Sequence, residues 1–298
     1  MATQADGPPR PDPDDLLRRG TSDHYEDAEL YDFEYRDHRH DIAWYRNQAR
    51  RIAATLTTSG LGTGSIATGG IDILELGAGT GRVAIPLAED GHRVTAIDRM
   101  PSMLELLAAK IVDHRAGARV EPVLGDICAM PLPAARFDLV IAPFNVLMHL
   151  YRWQDLLACF REVARVLRPG GSFALDVLLP DIEWLTWDPV ERHSVTYFTH
   201  PVTGASLVYS TNHTYDPSTQ VCHVRIYYDD APKRPRAFKP PPEPRRIVHL
   251  AHRQIFPEEL RLLIASAGLE LESHTGNFRS GALGPGVDAQ SAIARKPR

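Results

Sequence analysis

The clearest candidate for chemistry is a glycine-rich segment that lies between an apolar strand pattern and a helical pattern. Its sequence is ELGAGTGR over residues 75–82. Glycines at the end of a strand let the backbone turn tightly and approach a ligand that a Cβ atom would exclude. A dinucleotide-binding loop would carry its third glycine at position 82, which holds an arginine here, so the segment follows GxGxG. Six of its residues are candidates for ligand binding: Glu75, Gly77, Ala78, Gly79, Gly81 and Arg82.

Two acidic residues follow at the ends of the next strand patterns. Asp98 lies 21 residues after Gly77, at a distance where a carboxylate can accept hydrogen bonds from both ribose hydroxyls. Asp126 closes the third strand pattern and could meet an exocyclic amine of a purine. A single glycine loop or a single strand-end carboxylate is a weak signal, so the prediction depends on their combination.

The elements that must position these residues alternate along the chain. Five short apolar segments, at 71–76, 92–97, 119–124, 137–142 and 172–178, alternate with helical patterns that begin at Pro101 and Trp153. Such alternation predicts an α/β fold, a Rossmann-like and mostly parallel sheet with helices on both faces. Ligands bind such sheets in the crevice at the carboxyl ends of the strands.

Changes of pattern divide the rest of the chain. Residues 1–24 are rich in Pro, Asp and Gly and are predicted to be a flexible tail, and 25–70 a helical lid with a Gly- and Ser-rich linker. The core spans 71–191, period-two segments over 192–256 predict an antiparallel β insertion after the fifth strand, and 257–298 supply a final helix and strands.

Five motifs in order resemble the class I S-adenosylmethionine-dependent methyltransferases. They are ILELGAGTGR, AIDRMPSML, GDICAMPLPAARF, DLVIAPFNVLMHL and LRPGG. The resemblance implies S-adenosylmethionine (SAM) as cofactor and S-adenosylhomocysteine as product, with the glycine loop on the methionine moiety and Asp98 on the ribose. It also implies that the adenine meets Asp126, Ile127, Arg99 and Met103. Pro143 and Phe144, directly after the fourth strand, are further candidates for cofactor binding, and Phe144 and Asn145 for lining the pocket.

The aromatic segment YDFEY at 31–35, the insertion and the C-terminal segment look like a branch that contains glycine N-methyltransferases and nucleotide-sugar amine methyltransferases. In that branch an N-terminal helix closes over the cofactor. The similarity makes Tyr31 a candidate catalytic residue and Tyr35 a candidate cofactor contact, with a ring or phenol oxygen near the sulfonium. Alternatively, both tyrosines only pack an amphipathic helix.

His149 is the second candidate catalytic residue, because it lies just beyond the fourth strand pattern. An imidazole titrates near neutrality, so it could take a proton from an acceptor or orient the acceptor by a hydrogen bond. The alternative is that His149 caps the next helix.

Composition limits the partners. Lys and Arg number 33 against 38 Asp and Glu, a net charge of −5, which offers no field for nucleic acid. Three dispersed cysteines and no apolar run of membrane length predict a cytoplasmic protein without a metal site and without a membrane partner.

The sequence therefore predicts a methyltransferase that acts on an amine or hydroxyl of a small metabolite, of natural-product or sugar-like type. The insertion is expected to form part of the acceptor pocket or a subunit contact, such as that of a homodimer. The expected contact is through five exposed tyrosines, Tyr197, Tyr209, Tyr215, Tyr227 and Tyr228. Carbon methylation, a nicotinamide-dependent oxidoreductase and a non-catalytic cofactor-binding protein remain as alternatives.

Overall fold

The computed structural model describes residues 13–58, 70–232, 239–279 and 281–298. The strands are β1 (Asp72–Leu76), β2 (Arg93–Asp98), β3 (Val120–Leu124), β4 (Phe137–Ala142), β5 (Leu167–Leu178), β6 (His193–Thr199), β7 (Ser206–Asp216), β8 (Val221–Asp230), β9 (Arg246–Arg253), β10 (Glu270–Gly276) and β11 (Ala289–Arg295). The helices are α1 (Pro13–Ser22), α2 (Ala28–Tyr35), α3 (His40–Thr58), α4 (Ala84–Glu89), α5 (Pro101–Val112), α6 (Trp153–Val166), α7 (Ile182–Leu185) and α8 (Pro257–Ser266).

The central sheet has seven strands in the order β10-β11-β5-β4-β1-β2-β3. The pairs from β3 to β5 are parallel, and β11 runs antiparallel to both of its neighbours. This arrangement confirms the predicted Rossmann-like α/β class. It brings the carboxyl ends of β1, β2, β3 and β4 to one edge, where the glycine-rich segment and both acidic residues lie.

Two hydrophobic clusters cover the two faces of this sheet. Ile73 and Leu139 belong to a cluster with α3, α4 and α5, whereas Leu74 and Val140 belong to one with α6 and α8. Because neighbouring residues of a strand point to opposite faces, a strand buried on both faces needs a nearly continuous apolar run. The apolar segments at 71–76 and 137–142 meet that requirement.

The antiparallel insertion is also confirmed. Its four strands pair in the order β6-β7-β8-β9 and form a separate sheet between the fifth core strand and α8. The expectation that its tyrosines are exposed is wrong for Tyr227 and Tyr228, which are 8% and 3% exposed. The guanidinium of Arg192 covers the Tyr227 ring, and Glu34 of α2 accepts a hydrogen bond from the Tyr228 hydroxyl.

The N-terminal segment differs from the predicted flexible tail. Residues 1–12 lie outside the described residues, but Pro13–Ser22 form α1, which packs on β9. The helix approaches so closely that a Cβ atom on Gly20 would lie 2.5 Å from the Cβ of Ala251. The composition of the segment suggested disorder because its apolar surface is small, yet a sheet edge 230 residues away supplies the surface that orders it.

Parts of the predicted linker and proline-rich loop, residues 59–69 and 233–238, lie outside the described residues. Within the described ranges, none of the helices combines the length and apolar character that crossing a membrane requires.

Candidate functional site

The carboxyl ends of the core strands surround a cavity with about 790 Å³ of empty space, part of it open to solvent. Eleven of the residues predicted from sequence line it: Tyr31, Gly77, Gly79, Asp98, Arg99, Met103, Asp126, Ile127, Pro143, Phe144 and His149. The structure therefore brings together residues from six separate segments of the chain.

The backbone geometry requires glycine at three positions of the loop, for two different reasons. All three have positive φ angles, 60° at Gly77, 54° at Gly79 and 84° at Gly81. A Cβ on Gly77 would lie 2.2 Å from Val146 Cγ2, and one on Gly81 2.4 Å from Leu107 Cδ1. A Cβ on Gly79 would meet no atom within 4 Å and would enter the cavity instead. Gly77 and Gly81 are thus needed for close packing, and Gly79 leaves its backbone open to a ligand.

Asp98 ties the loop to the second strand. One of its carboxylate oxygens accepts a hydrogen bond from the Gly79 amide and the other from the Met100 amide, both at 2.8 Å. Burial raises the pKa of this carboxyl, and the backbone hydrogen bonds act in the opposite direction. Each oxygen has a second lone pair, so the carboxylate can also accept from two ligand hydroxyls.

Asp126 and its neighbours form the far side of the cavity. One Asp126 oxygen accepts a hydrogen bond from the Cys128 amide at 2.8 Å, and the Gly125 amide donates to the Asp98 carbonyl at 2.9 Å. Ile127 and Met103 add apolar surface beside this carboxylate. An apolar slot with one acceptor at its rim suits a flat heteroaromatic ring with an exocyclic amine.

Six of the predicted residues do not line the cavity: Tyr35, Glu75, Ala78, Gly81, Arg82 and Asn145. Arg82 makes a bidentate pair with Asp41 of α3, at 2.8 and 2.6 Å. Glu75 is buried beneath the loop, where burial holds the pKa of its carboxyl well above the usual range and its Oε2 has no hydrogen-bond partner. Ala78 donates its amide to the Ile97 carbonyl. Glu75, Ala78 and Arg82 therefore support the loop from behind.

Residues 21–35 form a cover over one side of the cavity. Tyr25 and Thr21 line it, although the sequence analysis named neither. Asp32 of α2 accepts from the Thr80 hydroxyl at 2.5 Å and pairs with Lys110, so the cover is joined to the glycine loop. Tyr25 is the first residue after the predicted tail and begins the aromatic-rich segment. This change in composition is the feature of the sequence that could have indicated Tyr25.

His149 lies at the end of the cavity nearest this cover. Its Nε2 is 2.7 Å from the Tyr25 hydroxyl, and its buried Nδ1 has no partner. It therefore does not cap the following helix, whose N-cap is Arg152 without a side-chain hydrogen bond. The alternative of a helix-capping histidine is wrong because the ring turns toward the cover.

Two more histidine side chains, His24 and His252, lie near the Tyr25–His149 pair. The His252 ring of β9 lies 4.9 Å from the His149 ring, and His24 is 3.1 Å from the Tyr35 hydroxyl. Burial lowers the pKa of His24 and of His252 to about 4, and holds that of His149 well below its usual range, with His252 adding to the effect. All three rings are therefore neutral near pH 7.

Tyr31 lies between these groups, with its ring centre 5.5 Å from Tyr25 and 4.7 Å from Tyr35. Burial raises its pKa, so the phenol remains protonated. Across the described part of the chain, no three His, Cys, Asp or Glu side chains are grouped to hold a metal ion. This end of the cavity is thus a wall of neutral rings, in which Tyr25, Tyr31 and His149 line the cavity. His24 packs on Tyr25 and His252 on His149.

Comparison with known proteins agrees with this geometry. Residues 73–171 match the family model of a methyltransferase domain. The structure is similar to that of the CcbJ methyltransferase from Streptomyces caelestis, with 26% identity and a TM-score of 0.63 over 84% of this chain and 90% of that one.

Sequence relatives match the same region. A cypemycin N-terminal methyltransferase from Streptomyces sp is 35% identical over 111 residues, which are 37% of this chain and 43% of the relative. An uncharacterized methyltransferase from Mycobacterium bovis is 37% identical over 103 residues, 35% of this chain and 38% of the relative. The chain matches these relatives over about two fifths of their own length.

Residues 73–171 thus match a methyltransferase domain, and the fold and the cavity agree with the class I SAM-dependent type. SAM is the cofactor of this family, and the open backbone at Gly79 and the paired oxygens of Asp98 fit its polar groups. These findings favour a methyltransferase over the nicotinamide-dependent alternative.

Proposed function

We propose that the protein transfers a methyl group from SAM to a small metabolite, and that the acceptor atom is an amine nitrogen in preference to a hydroxyl oxygen. The observation that carries the proposal is the Tyr25–His149 pair at the end of the cavity, set in a wall of neutral rings.

The low basicity of this wall argues for nitrogen. A hydroxyl acceptor has to lose its proton as the new bond forms, which requires a base whose pKa is near the working pH. His149, His24 and His252 all have lowered pKa values, so none is a strong base. A neutral amine already has a free lone pair, and burial favours the neutral form of an amine.

The chain's own residues then have mainly a task of alignment. Gly79 and Asp98 would hold the amino-acid and ribose groups, and Asp126 with Ile127 the adenine. Bound SAM supplies a methyl carbon already activated by a positively charged sulfur. The Tyr25 hydroxyl, fixed by His149, would accept a hydrogen bond from the acceptor N–H and so point the nitrogen lone pair into the cavity.

The charge balance of the transfer also suits this wall. Methyl transfer would break the carbon–sulfur bond with its electron pair going to sulfur, so the positive charge would pass to the nitrogen, which would then release one proton to water. Tyr25 and Tyr31 present ring faces and phenol oxygens that stabilise a cation without a buried counter-charge.

A small acceptor is part of the proposal, since Thr21, Tyr25 and Tyr31 of the cover line one side of the cavity and limit its space. The names of the relatives include both an N-terminal and an O-methyltransferase, so they do not indicate which acceptor atom is methylated.

The homodimer stays a prediction. Among the described strands, β6 has one unpaired edge, along which Val195 and Tyr197 are 44% and 52% exposed.

The test combines binding with turnover. Titration calorimetry measures SAM and S-adenosylhomocysteine affinity, and a panel of amines, each matched with the alcohol of the same skeleton, is assayed for methylated product by mass spectrometry. We expect SAM binding and product from amines. Product from alcohols alone, or from carbon acceptors, would contradict the choice of nitrogen, and binding without any turnover across the panel would favour the non-catalytic alternative.

Variants of the wall sharpen this test. Tyr25→Phe and His149→Ala should each reduce turnover about tenfold or more while the SAM dissociation constant changes less than threefold. Tyr227→Phe is the matched control, since the buried Tyr227 hydroxyl bonds to Asn212 at 3.2 Å within the inserted sheet and neither residue lines the cavity. Equal losses in all three variants would remove the Tyr25–His149 pair from the site.

A further inference from the structure

The turn that follows β4 has an unusual backbone. Phe144 and Asn145 both have left-handed conformations, with φ angles of 56° and 65°. Side chains with a Cβ are rarely found there, and two such residues in succession persist only when their surroundings hold them. The question is which groups hold this turn.

Two side-chain acceptors hold it to β5. Asp176 accepts a hydrogen bond from the Phe144 amide at 3.0 Å, and Asn145 accepts one from the Leu178 amide at 2.7 Å. The same Asp176 oxygen accepts from the hydroxyl of Tyr45 in α3 at 2.5 Å. Asp176 is 3% exposed and Tyr45 is fully buried, so water does not compete for these bonds.

The side chain that this turn places is Phe144, which lines the cavity. Its ring lies 5.0 Å from the ring of Tyr35 in the cover and 4.5 Å from that of His38. The Arg82 guanidinium, behind the glycine loop, lies 4.8 Å from the same ring. Phe144 therefore contacts the cover, the glycine loop and the cavity at once.

A carboxylate in this position has an energetic cost that an apolar residue would avoid. Burying an ionised group is unfavourable unless it is fully hydrogen-bonded, and an apolar side chain of similar volume is often as stable or more so. The Tyr45 hydroxyl does not need Asp176, because its single proton can be directed to the Ala142 carbonyl, 3.2 Å away, instead. Among the described residues, the Phe144 amide donates to no acceptor other than Asp176.

We propose that Asp176 is a positioning residue of the methyl-transfer site: by accepting the Phe144 amide it fixes the left-handed turn and so places the Phe144 ring against the cavity and the cover. The proposal rests on the proposed function for its effect on turnover. Its effect on the turn and on SAM binding does not depend on the identity of any acceptor.

The experiment compares four variants of the full chain. Asp176→Leu keeps the volume and removes the acceptor, Asp176→Ala serves if leucine does not fit, and Asp176→Asn retains an oxygen that can accept from the Phe144 amide. Tyr45→Phe is the control, because it removes the other hydrogen bond to the same oxygen and leaves that of Phe144 intact.

Amide hydrogen exchange of the cofactor-free protein, followed by NMR, reports on the turn directly. We expect exchange at Phe144 to rise at least tenfold in the leucine and alanine variants and to change less than threefold in the asparagine and Tyr45→Phe variants. Exchange at Val140, within β4, should stay as in the parent. Calorimetry should show SAM affinity at least fivefold weaker in the leucine and alanine variants and restored in Asp176→Asn.

Other results would overturn the proposal. If Phe144 stays protected without the acceptor, Asp176 does not hold the turn. If exchange rises equally at Val140, the role of Asp176 is general stability and not positioning. If the parent protein methylates nothing on the panel but the exchange and SAM results hold, the proposed function fails and the positioning role stands.

Discussion

The ion pair between Arg82 and Asp41 decides whether Arg82 belongs to the cofactor contacts or to the support of the glycine loop. The sequence predicted a cofactor contact, whereas the structure pairs Arg82 with a carboxylate of α3. The Asp41 side chain is fully buried and that of Arg82 is 17% exposed. Arg82 also donates to the His38 carbonyl at 2.6 Å, so replacing it takes a donor from that carbonyl as well as from the buried Asp41 carboxylate.

Arg82→Met should therefore destabilise the fold. Removing one partner of a buried ion pair costs about 3–5 kcal/mol. For a chain of this size each kcal/mol corresponds to roughly 2–4 °C, which gives a fall in Tm of roughly 6–20 °C. The partial exposure of Arg82 places the expected value in the lower half of this range.

The double variant Arg82→Met with Asp41→Leu separates the pair from its surroundings. Because it removes both charges, it should recover most of the stability lost in the single variant. Thermal and urea unfolding, followed by circular dichroism, measure all three proteins, and calorimetry measures their SAM affinity. Arg82→Lys, which keeps the charge but not the bidentate geometry, serves if methionine prevents folding.

Two results would refute this reasoning. One is a loss below about 1 kcal/mol in Arg82→Met, which would be the value for an exposed pair. The other is a stable Arg82→Met protein that has lost SAM affinity, which would return Arg82 to the cofactor contacts. Recovery of stability in the double variant together with recovery of SAM affinity would establish support of the loop.

Two further predictions concern other carboxylates. Asp98→Ala should weaken SAM binding by about 1.5–3 kcal/mol, tenfold or more, because a charge-assisted contact to the ribose is lost and the Gly79 and Met100 amides lose their acceptor. Calorimetry measures this affinity, and an unchanged value in a folded variant would exclude Asp98 from the site. Burial raises the pKa of Glu34 from 4.5 to about 7. Between these two pH values the folded state therefore holds one proton more than the unfolded state. The contribution of Glu34 to stability falls as pH rises through this window and is constant above it. Glu34→Gln, which can still accept a hydrogen bond from Tyr228, should remove this dependence. Its stability relative to the parent, measured by urea unfolding, should therefore rise from pH 4.5 to 8 by at most about 3 kcal/mol. A stability difference between variant and parent that is constant across that range would show that Glu34 titrates normally.

Local pattern was sufficient for the core of this protein. Strand and helix periodicity predicted the five parallel strands, because residues buried on both faces must be apolar in succession. Glycines and acidic residues at strand ends predicted the loop, Asp98 and Asp126 as neighbours, because parallel strands bring their carboxyl ends to one edge. These inferences need only short segments and the rules for joining them.

Other features depended on contacts between distant segments. Pro13–Ser22 is ordered by β9, and the Phe144 turn by Asp176 on β5, so neither could be seen in a local window. Arg82 follows the glycine loop in sequence but pairs with Asp41, 41 residues earlier. Spacing alone does not tell whether a charged side chain turns toward a ligand or toward a buried partner.

The sequence by itself determined the class of fold, the place of the cofactor crevice and the backbone that borders it, because each follows from periodicity and strand order. Only the tertiary structure decided the character of the end of the cavity where we propose that the acceptor binds. Tyr25, His149 and His252 come from three separate elements, and their neutral state results from mutual burial. Burial is a property of the assembled fold, and the chemistry of these groups follows from it.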